Sequence, residues 1–164
     1  IVQEIEPTIS VSVERVPHDE FETAVMRCSS VIRAAEGSVV VSLSGGARDV
    51  LLPLTVATMA HEPAVAQTLG YSDIDGQIRE WALPNITTSP SDGQRETLAA
   101  VRAHGPEISI PELTEYRTSA KSTITRHANA LEAHGFVTSW TENRTKHLSI
   151  TLAGRLCLAR TESS

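Results

Sequence analysis

Two spacings of apolar residues organise the first half of the chain. Apolar residues at every second position, as at Ile9, Val11 and Val13, predict a strand, whereas apolar residues three or four positions apart predict helices. The β-branched run Val39–Leu43 predicts a strand buried on both faces. Alternating strands and helices indicate an α/β layer with a partly parallel sheet. The predicted elements are strands at 8–14, 38–43, 64–71 and 77–83 and helices at 19–36 and 47–60.

The second half follows a different pattern, three helices and then a pair of strands. The segment Pro84–Gly93 is rich in Pro, Ser, Thr and Gly and predicts a boundary, with Ser89 as the helix N-cap before Pro90. Ser109 and Glu112 have the spacing of a capping box. This order is that of a winged helix-turn-helix. The predicted elements are helices at 90–104, 110–116 and 120–134, strands at 136–140 and 146–152 around a polar turn at 141–145, and a last helix at 153–160.

The predicted fold class is therefore α/β, a partial Rossmann-like domain followed by an α+β winged helix-turn-helix. We place the first domain at 1–86, a linker at 87–93 and the second domain at 94–164. The chain lacks an initiating Met and begins within an element, and a Rossmann-like domain starts with one more strand–helix unit. We therefore expect an N-terminal piece to be missing.

Charge separates the two halves. The 164 residues carry a net charge of −6, but residues 1–88 hold five Arg and twelve acids (−7), while residues 89–164 hold nine Lys or Arg and eight acids (+1). An acidic first half is a poor partner for nucleic acid, whereas the second half is compatible with one. The excess of acids, with two lysines against twelve arginines, fits a salt-adapted organism.

Further features bear on the compartment and argue against a metal site. No apolar run approaches the ~20 residues of a membrane span, and the acidic N-terminus lacks the basic region of a signal peptide. Cys28 and Cys157 have no partner at metal-ligand spacing, and the six His include no pair four residues apart. We expect a reduced, cytoplasmic protein with no membrane contact, no metal and no bound cofactor.

The helix at 120–134 carries a polar face that is suited to DNA, opposite a predicted core stripe of Ala120, Ile124, Ala128 and Leu131. In a winged helix-turn-helix the third helix enters the major groove, and the wing reaches the backbone or the minor groove. Arginine and lysine neutralise phosphate or contact guanine, and short hydroxyl side chains allow close approach. A solvated polar helix face, or a winged helix used only for protein contact, remains an alternative. The candidate DNA-binding residues are Ser119, Lys121, Ser122, Thr123, Thr125 and Arg126 on this helix and Arg144 and Lys146 at the wing.

A small-residue turn in the first half is a second candidate site. Ser44-Gly45-Gly46 lies between the strand at 38–43 and the apolar helix at 47–60. A strand, a small-residue turn and a helix N-terminus together can present backbone N–H groups to an anion. A turn that only needs positive φ would look the same. The nearly uniform apolar character of helix 47–60 predicts that it is covered on several sides, and we assign it to a dimer interface.

The second half resembles the winged-helix repressors of archaea and bacteria over roughly residues 90–160. The resemblance rests on Ser119–Val137, where a small-x-x-Thr-hydrophobic-x-Arg-His start precedes Leu131-Glu-Ala-His-Gly-Phe-Val, and on Leu148–Gly154. It implies a DNA-binding transcriptional regulator that acts on double-stranded DNA.

The first half resembles the CARF domain (CRISPR-associated Rossmann fold) over about residues 8–86. The likeness rests on Asp19-Glu-Phe-Glu, on Val39-Val-Val-Ser-Leu-Ser-Gly-Gly-Ala-Arg48 and on Ala82-Leu-Pro84. Joined to a winged helix, this is the layout of archaeal CRISPR-associated regulators; related haloarchaeal regulators need have no CRISPR role. The resemblance implies a homodimer and an effector of the cyclic oligoadenylate class. Its ligand site would be formed by Ser44, Gly45, Gly46, Ala47 and Arg48.

No residue pattern indicates catalysis. Ser44 has no nearby His or other base in the sequence, and Asp73 and Asp75 have the spacing of turn formers. We expect the protein not to be an enzyme. The alternative is an enzyme of the ring-nuclease type, which cleaves the cyclic oligonucleotide that it binds.

Overall fold

The computed structural model describes residues 7–117 and 119–160. The strands form two three-stranded sheets, one in each half of the chain. The first half contains α1 (Phe21–Ala34), β1 (Val40–Ser42), α2 (Arg48–Ala60), a short 3₁₀ turn (Glu62–Ala64), β2 (Gln67–Tyr71) and β3 (Ile78–Glu80). The second half contains α3 (Asp92–Ala103), β4 (Ile108–Ser109), α4 (Ile110–Glu115), α5 (Lys121–Ala133), β5 (Val137–Glu142), β6 (Thr145–Ile150) and α6 (Leu152–Ala159).

The first sheet is partly parallel, as its sequence predicts. β1 runs parallel to β2, with α2 as the crossover between them, and β2 pairs antiparallel with β3. Helices α1 and α2 pack on each other around Cys28, Ile32 and Ala57. A mixed α/β half is therefore confirmed.

Two predictions about strands in this half are wrong. Residues 8–14 form no strand: Val13 is 84% exposed, and the neighbouring Glu14 is instead held by an ion pair with Arg27 of α1. β1 is not buried on both faces, because Val41 is buried whereas Val40 is 50% exposed. Alternation and β-branching indicate strand propensity, but they do not supply the neighbouring strand or the second covering layer.

The second half has the winged-helix order around one apolar core. Its sheet is antiparallel in the order β4-β6-β5, and β6 is the central strand. Helices α3, α4 and α5 pack on this sheet, α5 packs on both α3 and α4, and α3 also packs on α6. The completely buried apolar side chains of this core are those of Leu98, Val101, Leu113, Ile124, Ala128 and Leu148.

The capping box that the sequence predicts at the start of α4 is confirmed. Ser109 caps α4: the Glu112 N–H donates to Ser109 Oγ at 3.3 Å, and the Ser109 N–H donates to Glu112 Oε2 at 2.9 Å. Glu112 also accepts from the Ser109 hydroxyl, and these bonds, with a smaller contribution from His147 and His104, lower the pKa of its carboxyl.

Some boundaries differ from the predicted ones. Helix α3 begins at Asp92, because the Ser91 N–H donates to Gln94 Oε1 at 2.8 Å and makes Ser91 the N-cap in place of Ser89. The wing turn has two residues and not five, so β5 continues to Glu142 and β6 already begins at Thr145. Leu152 begins α6 and does not extend the last strand. The short strand β4 was not predicted.

Candidate nucleic-acid interface

Helix α5 presents a continuous polar face on the opposite side from its buried stripe. Ile124, Ala128 and Leu131 fix the helix against the core. Arg126 is exposed on the other side, beside exposed Ser122 and Asn129, and Lys121 is exposed at the first position of the helix. Ala120, which the sequence places in the core stripe, is the exposed N-cap instead.

Three of the predicted residues on this helix are only partly accessible. Ser119, Thr123 and Thr125 are half-buried. The Thr125 hydroxyl donates to the Lys121 carbonyl at 2.9 Å, which leaves its lone pairs as acceptors. Thr123 donates its backbone N–H to the Ala120 carbonyl in the first turn of the helix. The accessible cations of the helix are therefore Lys121 and Arg126, with hydroxyls between them.

The wing carries Arg144 at its tip. Asn143 and Arg144 are the two turn residues, with φ of 48° and 63°, the backbone conformation of a type I′ hairpin. Glu142 pairs with Thr145 directly before the turn. Asparagine tolerates this left-handed region, but arginine does so at a cost. The side chain of Arg144 is exposed.

Lys146 points to α5 and is held there. Its Nζ donates to Glu132 Oε2 at 2.6 Å and to Asn129 Oδ1 at 2.9 Å. Glu132 also accepts from the Ser139 hydroxyl of β5. The bonds from Lys146 and Ser139 lower the pKa of the Glu132 carboxyl. Both wing strands are thereby tied to the helix by one carboxylate.

Sequence reasoning missed this tie and one other. The buried Thr97 hydroxyl donates to the Gly93 carbonyl at 2.8 Å and lies 3.0 Å from Nδ1 of His127, which joins α3 to α5. The partners are separated by 7 to 30 residues along the chain. Each partner residue is ordinary on a polar helix face, and no spacing rule connects residues so far apart.

The turn in the first half is exposed and is used partly by the fold itself. Gly45 and Gly46 have φ of 74° and 91°. Glycine occupies both positions because residues with a Cβ rarely adopt such values. Ser44 Oγ accepts from the Tyr71 N–H at 2.9 Å and from the Ser42 hydroxyl at 3.0 Å. Ala47 is the N-cap of α2 and gives no side-chain cap. Of the five residues Ser44–Arg48, Arg48 also lines a cavity between α1 and α2.

No protein-family model and no curated protein matches the chain. Several solved structures resemble part of it. A structure on the regulation of DNA binding of Bordetella bronchiseptica BpsR by 6-hydroxynicotinic acid is 17% identical, with a TM-score of 0.43 over 48% of this chain and 56% of that one. A mutant of MarR from E. coli in complex with operator DNA is 18% identical, with a TM-score of 0.42 over 44% of this chain and 54% of that one.

YusO of Bacillus subtilis is 22% identical, with a TM-score of 0.42 over 45% of this chain and 54% of that one. The chain thus spans about half the length of the solved structures just described. None of these likenesses assigns the chain to a family, and a CARF domain, a CRISPR role and an archaeal origin are not shown by them.

Two absences hold for residues 7–117 and 119–160. No helix there is long and apolar enough to cross a membrane. In the same ranges, no group of three or more His, Cys, Asp or Glu side chains is placed to hold a metal ion.

Proposed function

We propose that the chain is a DNA-binding transcriptional regulator that reads duplex DNA with α5 and the wing. The observation that carries the proposal is the acid-free outer face of α5: the one acid of the helix, Glu132, is neutralised by Lys146. Arg126 on that face and Lys121 at the start of the helix have no competing carboxylate on the same helix. Arg144 adds a third cation at the wing tip.

The side chains fit the chemistry of a base-reading helix. Arginine can bond two acceptors of guanine in the major groove, and such a pair discriminates by about 1–3 kcal/mol. Ser122 and Asn129 are exposed donors and acceptors on the same face as Arg126. Lys121, at the first helical position, is placed for phosphate.

The test is binding of fluorescein-labelled duplexes, selected from a random library by the full chain, followed by anisotropy at several salt concentrations. Arg126→Ala should weaken the selected duplex by about 5- to 150-fold and relax its sequence preference at one position. Lys121→Ala should weaken all duplexes alike and lower the salt slope by about 0.9.

Arg102→Ala is not a suitable control, because Arg102 already has a partner. Arg33→Ala, an exposed cation in the last turn of α1, is the matched control and should change nothing. Unchanged affinity in both Arg126→Ala and Lys121→Ala would contradict DNA reading by α5 and would favour a winged helix that contacts protein.

We propose further that the first half supplies dimerisation and ligand sensing. A two-fold dimer would present two copies of α5 to a pseudo-palindromic site, and the apolar side chain of Val50 is exposed on α2. The CARF resemblance supports a cyclic oligoadenylate at Ser44–Arg48. Sedimentation of the chain tests the dimer, since a monomer refutes it. Duplex binding with and without cyclic tetra-adenylate tests the effector, since unchanged affinity refutes it.

A further inference from the structure

A cavity of about 520 Å³ lies between the segment before α1 and the first turns of α2. This volume is that of a small-molecule site. Its floor is formed by two helices that pack closely on each other. Its lining includes His18, Asp19, Phe21, Arg48, Asp49 and Leu52.

The lining of the cavity carries charges of both signs. Arg48 supplies a guanidinium, while Asp19 and Asp49 supply carboxylates. Within residues 7–117 and 119–160, none of these three side chains makes an ion pair. A polyanion would meet two carboxylates for each cation, whereas a ligand with one positive and one negative group would find a partner for each.

The walls of the cavity are apolar and unusually accessible. Phe21 is 54% exposed and Leu52 is 58% exposed, although both side chains line the cavity. Covering them with an apolar group removes that surface from water, which is favourable. Pro53 also lines the cavity on the α2 side, and its ring is held in place because it is buried within the helix.

We propose that this cavity binds an α-amino acid with an apolar side chain. The carboxylate bonds to Arg48 at the N-terminal end of α2, where the helix dipole also favours negative charge. The ammonium bonds to Asp19, with Asp49 beside it, and the side chain lies on Phe21 and Leu52. This inference places a different effector at Arg48 from the cyclic oligoadenylate that the CARF resemblance implies, and it does not rest on DNA binding.

Isothermal titration of the full chain with three matched probes tests the assignment. The probes are phenylalanine, 3-phenylpropanoate (which lacks the ammonium) and phenethylamine (which lacks the carboxylate). Phenylalanine should bind at least about tenfold more tightly than either analogue, since each analogue loses one charge-assisted bond of about 1.5 kcal/mol or more. Binding of either analogue as tight as that of phenylalanine, or no binding by phenylalanine, would overturn the proposal.

Two variants assign the charges to their partners. In Arg48→Gln the preference for phenylalanine over phenethylamine should disappear, and in Asp19→Asn the preference over 3-phenylpropanoate should disappear. Arg33→Gln is the control and should keep both preferences. Preferences that survive in Arg48→Gln and Asp19→Asn refute the site, provided that circular dichroism shows both variants to be folded.

The same titrations separate this proposal from the DNA-binding one. Cyclic tetra-adenylate binding that is lost in Arg48→Gln, with no response to phenylalanine, overturns the amino-acid assignment. Phenylalanine binding by a chain that binds no duplex supports the cavity and overturns only the DNA-binding part of the proposed function.

Discussion

Arg144→Gly should stabilise the fold and weaken DNA binding at once. Arg144 occupies the second turn position of the wing at φ 63°, where glycine is the preferred residue. Relief of the left-handed strain stabilises the folded state by about 1–2 kcal/mol. The greater conformational entropy of glycine also stabilises the unfolded chain, which offsets about 0.5–1 kcal/mol of this gain. The expected net gain in the free energy of unfolding is about 0.75 kcal/mol, within bounds of about 0–1.5 kcal/mol.

The loss on the DNA side follows from the same residue. Removing one exposed cation from the wing tip should lower the affinity for duplex about fivefold at low salt, since a charge-assisted contact of about 1 kcal/mol is lost. The slope of log affinity against log salt should fall by about 0.9 for one phosphate. Urea unfolding followed by circular dichroism and duplex binding followed by anisotropy measure the two effects separately.

Two neighbouring variants isolate the causes. Arg144→Lys keeps both the charge and the positive φ, so stability and affinity should stay close to those of the starting protein. Asn143→Gly keeps Arg144 and changes a residue that already tolerates φ 48°, so it should stabilise the fold less than Arg144→Gly does. Lower stability in Arg144→Gly, or higher stability with unchanged DNA affinity, would refute the idea that the strained arginine serves binding.

Three further outcomes follow from the contacts of the fold. The lowered pKa values of the Glu132 and Glu112 carboxyls contribute stability that is present above about pH 4.5, their unfolded value, and is lost as pH falls through the folded value. Glu132→Gln or Glu112→Gln should therefore weaken the dependence of the free energy of unfolding on pH in the acid range, as measured by urea unfolding. An unchanged pH dependence would contradict this. Ser44→Ala should lower the free energy of unfolding by about 0.5–1.5 kcal/mol, because the Tyr71 N–H loses its acceptor; no change would argue that this bond does not hold the turn. Gly154→Ala should destabilise by about 1–3 kcal/mol in thermal unfolding, since its Cβ would lie 2.3 Å from the Phe136 carbonyl oxygen, and a more stable variant would show that helix propensity outweighs this clash.

What the sequence predicts well is what local chemistry specifies. The capping box of Ser109 and Glu112 and the apolar stripe from Ile124 to Leu131 require only residues within one or two helical turns, and both are confirmed. The strand predicted at 8–14 is wrong because a strand needs a hydrogen-bonded neighbour that a local pattern does not supply. The Glu132–Lys146 pair escapes prediction for the same reason, since its partners meet only after the wing has folded back on α5.

That pair also changes the meaning of the charge pattern. The sequence predicts Lys146 as one of the cations available to DNA, but in the fold its ammonium group is hydrogen-bonded to Glu132 and Asn129. Its contribution is then to hold the wing at a fixed position beside α5, and so to set where Arg144 lies relative to Lys121 and Arg126. A net charge of −6 is compatible with this interface, because exposed charges more than about 10 Å apart are largely screened at about 0.1 M salt. In the proposed DNA complex, affinity should therefore depend on the few cations on α5 and at the wing tip, and on the position in which the Glu132–Lys146 pair holds the wing.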